Sequence, residues 1–108
     1  VSGLVSVQLA ALGQLRVELA ALGRELADDA DLSRATGSSL GSALPGPVGV
    51  AAAGAGGRCA ELTGALADRT AAVAAVLDAA LSAYRAADAG LAGQLAALDP
   101  PRGPRTPR

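Results

Sequence analysis

Leucines at positions 12, 15, 19, 22 and 26 recur at spacings of three and four, the repeat of a helix with one apolar stripe. Val5 extends the stripe upstream, so the pattern predicts a first helix from about Val5 to a point between Leu26 and Ala35. Gln14, Arg16, Glu18, Arg24 and Glu25 fall mostly off the stripe and are expected to be solvated. The acidic group Asp28, Asp29 and Asp31 suits a helix C-terminus badly, because the dipole there favours cations. Either the helix frays at this point, or it continues to Thr36 with Arg34 offsetting the charge.

Residues 37–49, GSSLGSALPGPVG, predict a linker. Gly, Ser and Pro dominate it, and Pro45 and Pro47 flank Gly46, which restricts continuous helix there. A second helix is expected to begin between Val48 and Arg58 and to run, from about residue 50, to Leu98. Leu62, Leu66, Val73, Leu77, Leu81, Tyr84, Asp88, Leu91, Leu95 and Leu98 keep helical spacing along it. Its length of roughly 60–75 Å exceeds what the first helix can cover, so its far end is predicted to overhang. Asp99-Pro100-Pro101 stops it, and residues 100–108 read as a disordered Pro/Arg tail.

The predicted fold is all-α, an antiparallel two-helix hairpin over residues 1–99. A lone hairpin buries only the strips that face each other, and the apolar face here is wider than one strip. Leu12, Leu15, Leu19, Leu22, Leu26, Leu77, Leu81, Leu91 and Leu95 are therefore the candidate partner interface. Pairing into a four-helix bundle, with a second copy or a sister hairpin, is the main physical expectation.

Composition narrows the chemistry. Hydrophobic residues make up 51% of the 108, mostly Ala and Leu, with no Phe, Trp or Met, which favours narrow helix–helix seams over a thick core. The chain has no His, so neither a Ser-His-Asp triad nor an imidazole metal ligand is available. All nine basic residues are Arg, so no lysine can serve a Walker A loop or a Schiff base. One Cys cannot form an internal disulfide. The expectation is a protein that is not an enzyme and takes no cofactor. Arg in place of Lys, together with the lack of Asn, points to a GC-rich genome.

The net charge of −1 is uneven: three Arg and no acid lie in 100–108. That run lacks aromatics and makes a poor nucleic-acid surface. The first fifteen residues are uncharged but lack a basic leader, and Ser, Gly and Gln interrupt them. Residues 35–57 are also uncharged yet hold seven Gly and two Pro. Neither stretch reads as a stable membrane anchor, and export, if it occurs, is expected to need no cleaved signal peptide.

Few residues could carry a specific signal. Tyr84 is the only aromatic residue, and Asp88 stands one helical turn beyond it in YRAAD, so phenol and carboxylate share a face. A secretion apparatus could read such a pair. Alternatively Tyr84 is a packing residue and Asp88 pairs with Arg85. Cys59 is expected to be a small buried hydrophobe, with an intermolecular disulfide or a reactive thiol as alternatives. Gly54-Ala55-Gly56-Gly57 lacks the strand and the Lys of a phosphate loop; it is expected to loosen the start of helix two or let it approach helix one closely. Asp29-x-Asp31-x-Ser33 has Arg34 where a calcium loop needs Gly.

Two Leu/Ala helices, a Gly/Pro-rich middle and Y-x-x-x-D late in the second helix resemble small type VII (ESX) secretion substrates. The segment ALSAYRAADAGLAGQL is most similar to the EspC-like family of actinobacterial secreted proteins. The resemblance implies a helical hairpin made in the cytoplasm and exported folded, commonly as a dimer, to the medium or cell surface. It implies that Tyr84 and Asp88 form part of an export signal read by the secretion-machinery ATPase. Related hairpins carry Trp-x-Gly in the turn, and this chain has no Trp. Two other readings stand beside it: a cytosolic helical adaptor or chaperone-like module, and a binder of lipid or polymer surfaces. The few aromatics and acidic body disfavour the latter.

Overall fold

The computed structural model describes residues 2–98, which form two helices, α1 over Ser2–Ala43 and α2 over Gly46–Leu98. They pack against each other as an antiparallel hairpin, and the described residues contain no strand. The expected all-α hairpin is therefore the fold. The expected tail at 100–108 lies outside the described residues.

The predicted linker is the main correction. Residues 37–43 belong to α1 and residues 46–49 to α2, which leaves only Leu44 and Pro45 between the helices. The turn chemistry explains how so short a connection reverses the chain. The Leu44 N–H donates to the Leu40 carbonyl at 2.9 Å, closing the last turn of α1. Pro45 has no N–H to continue it. Gly46 then takes φ 63°, a left-handed conformation that a Cβ disfavours. Pro47 opens α2, where its missing N–H would lack a helical partner in any case.

The glycines read as linker residues pack the helices together. A Cβ on Gly56 would lie 2.6 Å from the Gly37 Cα and 2.8 Å from the Ser33 carbonyl oxygen. A Cβ on Gly41 would lie 3.0 Å from the Ala53 Cβ. The two backbones therefore touch at the closed end, tighter than the usual 8–10 Å between helix axes permits with larger side chains. The expectation that the Gly54–Gly57 stretch allows a close approach holds at Gly56. It does not loosen the start of α2, which begins earlier.

The same economy continues toward the open end. Ala60, Ala67, Ala74 and Leu81, seven residues apart, are the buried positions of α2 beyond Gly49. Opposite them on α1, Gly23, Ala30 and Gly37 are buried, also seven apart. A spacing of seven holds one face of each helix toward its neighbour over the full contact. Small side chains on that face give close contact and little apolar burial per residue.

The acidic group of α1 causes no break. The helix ends at Ala43, well beyond Asp31, so the carboxylates stand away from the terminal dipole. The Arg34 Nη1 donates to the Asp31 Oδ1 at 3.3 Å, as the second alternative expected. Arg16 departs from its expected solvated place: it lies at the helix–helix seam and its Nε reaches the Asp78 Oδ1 of α2 at 3.4 Å.

At 1.5 Å per residue, the 53 residues of α2 span about 80 Å against about 63 Å for the 42 of α1. The difference leaves the last turns of α2 without a neighbour, so the predicted overhang is present at the open end, where every described residue after Leu81 is exposed.

Candidate docking face

The leucine stripe of α1 is not the seam that joins the helices. The seam runs through Leu9, Arg16, Gly23, Ala30 and Gly37, and the leucines sit beside it. Leu19 and Leu26 are half-buried, while Leu12, Leu15 and Leu22 remain exposed, Leu22 at 44%. Glycine and alanine let the backbones close up, which pushes the bulky side chains to the edge of the contact.

The two flanks of the hairpin differ as a result. One flank holds an open groove of about 450 Å³ between alanines of both helices, rimmed by Arg16, Arg24, Asp68 and Asp78. The other is apolar. Toward the open end it holds a groove of about 200 Å³ lined by Val5, Leu9, Leu12, Leu77, Leu81 and Tyr84. Toward the closed end it holds one of about 410 Å³ lined by residues that include Leu32, Leu40, Ala52 and Cys59. Helical spacing places the exposed Leu15, Leu22, Leu66 and Val73 on this same flank. It is an uncovered apolar surface that both helices share.

Of the nine predicted interface leucines, the structure thus leaves Leu12, Leu15, Leu22, Leu91 and Leu95 exposed. Leu19, Leu26 and Leu77 are partly consumed within the hairpin. Leu81 is corrected outright: at 3% exposure it is the largest side chain of the hairpin's own core and cannot meet a partner. It occupies the last seam position that α1 still covers well.

Tyr84 and Asp88 do share a face. Together with Ala87 and Leu91 they line an open groove of about 210 Å³ on the open-end part of α2, and Tyr84 also lines the leucine groove it shares with the start of α1. Both continue the register of Leu77 and Leu81 one heptad further, where the helix is exposed although the start of α1 still runs beside Tyr84. Tyr84 is 52% exposed and Asp88 is exposed. The Arg85–Asp88 pair of the alternative reading is not among the ion pairs of the described residues. Arg85 instead lies over α1, its guanidinium 3.8 Å from where a Cβ on Gly13 would stand.

Cys59 departs from expectation. It is an exposed thiol on the apolar flank near the closed end, not a buried hydrophobe. It takes that place because Ala60, the next residue, holds the seam.

Among the described residues no group of three metal-ligating side chains comes together. Helix α1 contains an 18-residue window of mean hydropathy 1.3 that is long and apolar enough to cross a membrane, and none of the window is buried. The uncharged N-terminal part and the exposed leucine stripe produce that value.

No protein-family model matches the chain, and neither does any curated protein or solved structure.

Proposed function

We propose that this chain is a non-enzymatic type VII (ESX) secretion substrate or secretion companion of the EspC-like kind. It works as a helical hairpin that docks on another hairpin and presents Tyr84 and Asp88 to the export machinery. The observation that carries the reading is the position of that pair. It stands on exposed positions of α2 at the open end of the hairpin, beside the first turns of α1, so a phenol and a carboxylate lie side by side on an open helical face. A receptor can bury the ring and donate hydrogen bonds to the carboxylate without unfolding the hairpin. The apolar flank supplies the second half of the reading, because a solvated rod with this much uncovered leucine favours association.

Export into the medium by cells carrying the machinery tests it. Replacing Tyr84 with Ala is expected to abolish export while the cellular level of the protein stays normal. Unchanged export of the variant removes the role assigned to the pair. Retention of the wild-type protein in the cell, bound to a partner unrelated to secretion, favours the helical adaptor.

A further inference from the structure

Gly37 faces Gly56, Ala30 faces Gly64 and Arg16 faces Asp78, which fixes the register of α1 against α2 along the rod. The same register sets Glu25 level with Arg69. Both are exposed, and each stands one turn from the leucine flank, Glu25 three residues after Leu22 and Arg69 three after Leu66. They lie on the outer edges of that flank, on opposite sides of it. The ion pairs within the described residues, Arg16–Asp78 and Arg34–Asp31, involve neither.

We propose that the leucine flank is an interface between two copies of this chain, related by a twofold axis that runs along the rod. The inference rests on reading the flank as a docking face and names what occupies it. Rotation about that axis lays α1 of each copy on α2 of the other at the same height. Glu25 then meets Arg69 of the second copy, and symmetry makes the contact twice. Leu22 of one copy falls against Val73 of the other and Leu15 against Ala80, and neighbouring helices run antiparallel. A twofold axis across the rod is disfavoured by charge. It would lay α1 on α1 and bring the edge that holds Glu18, Glu25 and Asp29 against the same edge of the second copy, with no cation there to offset them. The axis along the rod matches an acidic edge with a basic residue.

Charge exchange tests the geometry. E25R alone places Arg against Arg at both contacts, and R69E alone places Glu against Glu. Each is expected to weaken self-association roughly tenfold at low salt, with helix content unchanged. Mixing the two variants puts one Arg and one Glu at every contact, so a mixed dimer is expected to form with wild-type affinity. Sedimentation equilibrium reads the affinities, and native mass spectrometry of an isotopically labelled mixture reads the pairing. Wild-type self-association of either single variant, or a mixture that yields no mixed dimer, overturns the proposal. A wild-type chain that stays single yet binds a sister hairpin through the same flank also overturns it, but leaves the docking face standing. Association of any kind that survives Leu22→Asp overturns the docking face itself.

Discussion

Two adjacent glycines give opposite predictions for the same substitution. Gly56→Ala puts a methyl 2.6 Å from the Gly37 Cα and 2.8 Å from the Ser33 carbonyl oxygen, both backbone atoms that no rotamer change can move. The helices must separate at the closed end by about 1 Å, and overpacking of this kind costs about 1–3 kcal/mol. Against that, Ala gains about 0.5–1 kcal/mol over Gly in a helix interior. The net expectation is a loss of up to about 2.5 kcal/mol. A Cβ on Gly57 meets nothing within 4 Å, so Gly57→Ala keeps only the helix gain and is expected to stabilise by about 0.5–1 kcal/mol. For a domain of this size the two variants move Tm in opposite directions by roughly 4–8 °C per kcal/mol. Thermal unfolding followed by circular dichroism at one fixed protein concentration measures both, because association would make Tm depend on concentration. Equal stabilisation by the two alanines would refute the close contact and restore the loose linker.

Other perturbations follow from the same packing. Leu81→Ala is expected to cost about 2–4 kcal/mol by urea unfolding, since this side chain is 3% exposed, whereas Leu62→Ala, at 75% exposure, should change stability by less than about 0.5 kcal/mol. Gly46→Ala forces a Cβ into a left-handed turn and should lower stability by about 1–2 kcal/mol although nothing crowds the site. A double-mutant cycle on Arg16 and Asp78 should give a coupling below about 0.5 kcal/mol that falls with added salt, because the side chains are 37% and 60% exposed. Co-sedimentation with anionic liposomes is expected to leave the protein in the supernatant, the acidic groups of the rod opposing adsorption.

Helix type and the overhang were legible in the sequence because Leu and Ala spacing depends only on the helical repeat. The long reach of α1 was not. Gly, Ser and Pro between residues 37 and 49 carry the composition of a loop, and composition does not distinguish a glycine that turns the chain from one that admits a neighbouring backbone. Spacing held the missing signal: Gly37 and Gly41 are four apart, Gly49 and Gly56 seven apart, so each pair lines one helical face. The leucine stripe misled for a related reason. A three-four repeat of leucines marks an apolar face without saying whether that face joins the hairpin or flanks it, and the seven-residue alanine series of α2 decided the matter. The shared face of Tyr84 and Asp88 was legible from their spacing. The exposure of Cys59 was not, because it depends on which neighbour takes the seam.

Sedimentation velocity of the purified chain, alone and as Leu22→Asp, bears most directly on whether the uncovered leucines hold two hairpins together. The wild-type protein should sediment at about twice its 10.4 kDa mass, and the variant as a single copy with its helix content intact. A wild-type chain that remains one 10.4 kDa rod at every concentration and melts cooperatively on its own would contradict the account.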